Sequence, residues 1–221
     1  MNQRENQYTG MVPSATNPED FGPQPDMKDS KNVFICSRCK DKDVLDLGTV
    51  MHDPENYRSK YWAHNAIRQV AKSLIGLDLY KEGVDYLNER GYQVVHADAQ
   101  NFDLGTQFDV IVAGDVVEHL ENFDGFLESV KAHLRPTGKL IITTPNPWYW
   151  KMIIKGLLSD FPLNNPEHSC WFCPTTLSQL VRRHGMKVTA LEHFSRYLSD
   201  RLLPLPKRLK HTSFGAEIIV V

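Results

Sequence analysis

Two short runs carry the first chemistry in this sequence, Asp43-Val-Leu-Asp-Leu-Gly48 and Leu74-Ile-Gly-Leu-Asp-Leu79. Each is an apolar stretch that closes on small or acidic residues, and one helix-length separates them. A buried strand that stops at a glycine and feeds a helix leaves a bare backbone turn at the carboxyl edge of a sheet. In a doubly wound α/β fold that edge, near the point where strand order reverses, receives nucleotide-like ligands. Gly48 then admits a ligand close to the backbone, and Asp78 is placed to accept hydrogen bonds from ribose hydroxyls. A buried acid at a strand end needs such a partner; the plainer alternative is an acid that caps the next helix. Asp115, Glu118 and His119 form a third group, whose i, i+3, i+4 spacing gathers them on one face of a helix.

The four cysteines fall into two Cys-x-x-Cys pairs, Cys36/Cys39 and Cys170/Cys173. Together they could furnish one tetrahedral zinc site. The first pair precedes the first strand and the second follows the fifth, so they are expected near opposite edges of the sheet. Four reduced, structural thiols are therefore expected. With 221 residues, 41% hydrophobic and 24% charged, the chain fits one ordinary domain. The net charge of −2 gives no reason to expect nucleic acid or an anionic membrane as partner. No leader-like apolar segment opens the sequence, and no run approaches the roughly 18 apolar residues of a membrane span. A cytoplasmic location is expected.

The elements that must position these groups alternate. Residues 1–30 are polar and aperiodic and read as a mobile arm, whose Tyr8, Met11 and Phe21 could fold over a ligand. A single domain is expected over 31–221. Strands are expected at 43–48, 73–79, 93–96, 108–113 and 139–144. Ala63, Ile67, Val70, Ala71 and Leu74 make one helical stripe, and further helices are expected at 81–90 and 121–134. Pro174 opens another helix, which ends at Gly185. Two last strands, 187–193 and 216–221, are expected to pair antiparallel. The sum is an α/β, doubly wound, seven-stranded and mostly parallel sheet with an antiparallel last strand.

A series of motifs in fixed order then points further: Val44-Leu-Asp-Leu-Gly48, Gly76-Leu-Asp78, Ala97-Asp-Ala99, Phe108-Asp-Val-Ile-Val112, Asp115-Val-Val-Glu-His-Leu120, Leu134-Arg-Pro-Thr-Gly138 and Thr143-Thr-Pro-Asn146. In this order they resemble the class I S-adenosylmethionine-dependent methyltransferases, in the type 11/23 group that includes small-molecule and ubiquinone-pathway O-methyltransferases. A dinucleotide-binding dehydrogenase fits poorly. There is no Gly-x-Gly-x-x-Gly, and Asp78 lies 30 residues beyond Gly48 rather than about 20.

The resemblance implies S-adenosylmethionine as cofactor, with Gly48 beneath its methionyl part and Asp78 and Leu79 at the ribose. Asp98 and Ala99 would flank the adenine, and Gly114 and Asp115 would floor the sulfonium. It departs from the family after the first glycine, where Thr49-Val50-Met51-His52-Asp53 replaces a second small residue. Valine disfavours positive φ, so the turn must differ, and Thr49, Val50 and His52 are candidate cofactor contacts. Methyl transfer to a hydroxyl needs a base, and an imidazole suits that task. His119 is the first candidate, and His168, in a segment like the family's His-x-x-Trp-Phe-x-Pro-x-Thr-Leu, is the second.

Ubiquinone-pathway relatives carry a similar Glu-x-x-Glu-His associated with a divalent cation, so Asp115, Glu118 and His119 could hold one here, although no metal site is assigned. The apolar insertion 145–172 is the expected lid over a small-molecule or glycan acceptor, possible membrane-surface contact included. Arg201 to His211 mixes leucines with basic residues and could receive an anionic or lipid-linked acceptor. The expected activity is methyl transfer, on oxygen. A quinone-precursor O-methyltransferase with a divalent cation and a non-catalytic cofactor-binding protein are the alternatives.

Overall fold

The computed structural model describes residues 23–159, 165–195 and 204–221. Most of the expected N-terminal arm, Tyr8, Met11 and Phe21 included, lies outside them, as do Arg201, Leu202 and Leu203. Seven strands form one sheet: β1 (Asp43–Leu47), β2 (Ser73–Asp78), β3 (Val94–His96), β4 (Phe108–Gly114), β5 (Leu134–Pro145), β6 (Met186–Phe194) and β7 (Ser213–Val220). Their order is β3-β2-β1-β4-β5-β7-β6. The first five run parallel, and β7 is antiparallel to both β5 and β6. Val44, Leu45 and Leu47 are all buried, as a strand covered on both faces requires. Order reverses between β1 and β4, which puts the switch point above Gly48.

Among the described residues seven α-helices accompany the strands: α1 (Ser30–Cys39), α2 (Ala63–Arg68), α3 (Lys81–Asn88), α4 (Phe123–His133), α5 (Trp150–Leu158), α6 (Pro174–Arg183) and the short α7 (Lys207–Lys210). The sequence reading placed no helix at α1, yet its start is well marked. The Asp29 carboxylate accepts the backbone N–H groups of Lys31 and Asn32 at 3.1 and 3.0 Å, the bonding of an N-cap. Its buried Phe34, Ile35 and Cys39 pack with Val110, Val112 and Phe194. Gly215 lets this happen, because a Cβ there would sit 2.7 Å from the Phe34 ring and 2.9 Å from Phe194.

Two expected elements are redrawn. The stripe from Ala63 to Leu74 is not one helix, since α2 ends at Arg68 and Leu74 already belongs to β2. The five residues still share one apolar cluster, which is why they mimic a continuous stripe. β5 starts early: Phe108 pairs with Leu134 and Val110 with Lys139, so Arg135-Pro-Thr-Gly138 bulges out of a strand it was expected to precede. All four cysteines are free thiols, two in α1 and two just ahead of α6. Among the described residues no helix is long and apolar enough to cross a membrane.

Candidate active site

The carboxyl edge of the sheet opens into two cavities of about 700 and 670 Å³. They share Gly48, Met51, Gly114, Asp115 and Pro145, which form a waist between them. The smaller holds Asp78, Leu79, Asp98, Ala99, His52, His119 and His168. The larger is lined by Lys31, Asp46, Thr49, Trp62, His64, Tyr149, Lys151 and Trp171. Ten of the twelve residues singled out from sequence thus line one cavity.

Thr49 and Val50 are placed otherwise. Val50 is buried in a cluster with Trp62, Val84 and Leu87, and Thr49 Oγ1 donates to the Asp46 carbonyl at 2.8 Å. Val50 therefore anchors the turn from its buried side, while Thr49 borders the larger cavity instead. The turn itself carries positive φ at Gly48 (72°), Met51 (55°) and His52 (66°). At Gly48 a Cβ would meet Val116 at 2.5 Å. Non-glycine residues in this region cost about 1–3 kcal/mol and persist where their surroundings demand it. The turn is braced by Trp62, whose indole N–H donates to the Thr49 carbonyl at 2.8 Å. Beneath it, His64 Nδ1 lies 2.9 Å from Asp46 Oδ2, both groups buried. Neither Trp62 nor His64 stood out in the sequence, because neither belongs to a periodic pattern.

Asp78 accepts the N–H groups of Val50 and Tyr80 at 2.7 and 2.9 Å, one on each carboxylate oxygen. Each oxygen keeps further lone-pair capacity. Asp98 accepts the Gln100 N–H at 2.8 Å. These are local turn bonds, so the capping alternative and a ligand role coexist in the same side chains.

The face expected to unite Asp115, Glu118 and His119 does not form. Only Val117–His119 makes a single 3₁₀ turn, and Asp115 precedes it at φ 56°. Asp115 pairs instead with Lys31 of α1 and accepts from Thr143 Oγ1 at 3.2 Å. A cation held by this acid together with Glu118 and His119 therefore has no support in the arrangement. Lys31 went unnoticed in the sequence because 84 positions separate it from Asp115.

Glu118 is only 1% exposed. Thr144 Oγ1 donates to its Oε2 at 3.0 Å, whereas Oε1 has no hydrogen-bond partner. Burial, and then the negative Asp115, push its carboxyl up to about 8. His119 Nδ1 lies 3.2 Å from the Glu167 carbonyl. Burial and neighbouring His52 hold its imidazole below the ordinary range, and burial with His119 does the same to His168. The segment 165–172 is stitched down beside them, with Ser169 N–H donating to the Glu118 carbonyl at 2.9 Å and Ser169 Oγ to that of Leu120 at 2.8 Å.

The profile of a family described as a methyltransferase domain matches residues 27–191. The chain belongs to the methyltransferase domain family. It is similar to a protein of Mycolicibacterium smegmatis named as a "Probable S-adenosylmethionine-dependent methyltransferase", 29% identical over 157 residues, or 70% of this chain and 55% of that protein. It is also similar to a ubiquinone biosynthesis O-methyltransferase of Rickettsia canadensis, 23% identical over 114 residues, 48% of each. This methyltransferase chain spans about half the length of the curated relatives it matches. In fold it resembles the glycopeptide N-methyltransferase MtfA, solved with S-adenosyl-L-methionine, at a TM-score of 0.60 and 14% identity over 93% of this chain and 99% of that one. The recognition as a class I S-adenosylmethionine-dependent methyltransferase, and the α/β sheet expected with it, hold.

Proposed function

We propose that this chain transfers a methyl group from S-adenosylmethionine to an oxygen atom of a small-molecule or glycan acceptor. The two cavities meeting over Gly48 and Asp115 support this most directly. Displacement at a methyl group needs its nucleophile and leaving group in line, and the smaller cavity sets the imidazoles of His119 and His168 beside Asp78, Asp98 and the waist. When bound, the sulfonium supplies the electrophilic methyl.

The chain's own residues supply the rest. Gly48 leaves the backbone bare at the waist. Asp78 accepts from ribose hydroxyls while its turn bonds hold the carboxylate still, and Asp98 with Leu79 and Ala99 borders the adenine. His119 is the base: its depressed pKa keeps the imidazole neutral near pH 7, and the Glu167 carbonyl fixes Nδ1 as the donor, which leaves Nε2 to take a proton. Tyr149 and Trp171 give apolar surface to the larger cavity, across the waist from His119. A neutral base in the cleft supports a hydroxyl acceptor, whose proton it would take.

Calorimetric titration of the full chain with S-adenosylmethionine and S-adenosylhomocysteine is the first test, and an absence of heat with both would sink the proposal. A panel of phenols, sugars and amines, followed by mass spectrometry, tests the atom. Methyl found on nitrogen alone would remove the oxygen assignment while leaving the cofactor role.

A further inference from the structure

Helix α5 buries none of its residues fully, although most of them are apolar. At about 3.6 residues per turn, Trp150, Ile153, Ile154, Leu157 and Leu158 fall on one arc of the helix. Lys151, Met152 and Lys155 fall outside that arc and line the larger cavity, so the apolar arc turns away from it. Ile153, Ile154, Leu157 and Leu158 are exposed, the two leucines 79% and 82%, and so is Trp148 just ahead of the helix. Single apolar residues on a surface need no explanation, whereas a contiguous set on one helix face marks a contact site.

Charge narrows the choice of occupant. Residues 145–159 contain Lys151 and Lys155 and no acid, and residues 204–213 contain Lys207, Arg208 and Lys210 and no acid. The second segment is tied to the root of the first. Asn146 Nδ2 donates to the carbonyls of Arg208 and His211 at 2.6 and 2.8 Å, and the Asn146 N–H donates to that of Thr212 at 2.9 Å. Lys151, Lys155 and Arg208 are exposed. A chain with a net charge of −2 thus sets only cations beside this apolar arc. A second copy of the same face would bring like charges together. An anionic lipid surface accepts the leucines and the cations at once.

We propose that α5, together with the basic segment 204–211, docks on an anionic lipid surface. Ile153, Ile154, Leu157 and Leu158 enter the acyl boundary, and Lys151, Lys155 and Arg208 reach the phosphates on their long stems. The association is peripheral, because a short helix immerses only its outer face and needs the apolar and basic signals together. Resting on the activity proposed above, the larger cavity then lies beneath a membrane-bound helix, within reach of an acceptor that partitions into lipid.

The test mixes the full chain with sedimentable vesicles of phosphatidylglycerol in phosphatidylcholine, and with vesicles of phosphatidylcholine alone. Co-sedimentation is expected with the mixed vesicles, weakened by salt and much reduced on the neutral ones. Leu157→Ser combined with Leu158→Ser, at exposed positions that should leave folding intact, is expected to lower partitioning about ten-fold or more. Lys151→Gln and Lys155→Gln should each lower it about five-fold. No binding to the mixed vesicles, or binding indifferent to the leucine substitutions, would overturn the docking surface. So would a concentration-dependent dimer in sedimentation velocity that those substitutions dissolve, since the face would then belong to a second copy. These readouts need no cofactor, so failed vesicle binding with normal S-adenosylmethionine binding defeats only the docking. Vesicle binding without cofactor binding defeats only the proposed activity.

Discussion

The two edges of the same sheet use the same residue types to opposite ends. At the amino edge the charges at the starts of β1, β4 and β5 answer one another. Arg135 reaches Asp43 at 2.9 Å and Asp109 at 2.7 Å, Ser73 Oγ donates to Asp43 at 2.8 Å, and the Asp43 N–H donates to Asp109 at 2.9 Å. At the carboxyl edge Glu118 keeps a buried oxygen without a partner, and Met51, His52 and Asp115 sit in left-handed backbone. One edge pins four strand starts to each other. The other holds polar capacity and strain in reserve, as surfaces built for a ligand do. Substitutions should therefore separate stability from function according to the edge they strike.

The strongest test of that contrast is His119→Ala. Turnover should fall about 10²- to 10⁴-fold, the range for losing a general base, while calorimetry shows S-adenosylmethionine affinity near that of the parent chain. Unchanged turnover would remove the base. Next comes Asp78→Ala, expected to weaken cofactor binding at least ten-fold, since hydrogen bonds to a charged group are worth about 1.5–3 kcal/mol. Binding that survives intact would show Asp78 to be only a turn cap.

Glu118→Gln should move stability the other way. A carboxyl whose folded pKa is raised costs stability as pH climbs from the ordinary carboxylate range toward 8, because the unfolded chain ionises first. The amide should therefore raise the melting temperature at pH 8, by on the order of 1–3 kcal/mol in stability, and change little at pH 5. A drop at pH 8 would contradict the burial argument.

The smallest effect belongs to the amino edge. Burial opposes ionisation of Asp43 and Asp109, but hydrogen bonds outweigh it, from Ser73 and Arg135 on Asp43 and from the Asp43 backbone and Arg135 on Asp109, so both lie below the usual range. Their contribution is present above the ordinary carboxylate pKa and is lost as pH falls through the depressed folded values. Arg135→Ala, at a half-exposed position, should cost no more than about 1 kcal/mol near neutral pH. That difference should fade in acid, with cofactor binding untouched throughout. A loss of binding would mean that the edges are coupled.

Much of this was legible without coordinates. Strands β1, β2 and β4 announce themselves as apolar runs, and the glycines and acids at their ends mark the carboxyl edge. The final antiparallel pair was expected and is present. Helix α1 was missed because its apolar residues follow a long polar leader that masks the change. The bulge in β5 was missed because proline and glycine read as an end rather than an interruption. The helical face of Asp115, Glu118 and His119 failed because the backbone reverses at Asp115.

Local pattern determined which residues stand at the carboxyl edge, since parallel strands joined by right-handed crossovers must all end on one side. Gly48, Asp78, Asp98 and Gly114 follow from that rule alone. What only the tertiary structure decided is which loop residues meet there. Lys31 finds Asp115, His52 finds His119 and Glu167, and His168 finds His119, because the segment 165–172 is hydrogen-bonded to the turn after β4. Loop paths obey no sequence period, so contacts between them emerge only when the whole chain is packed.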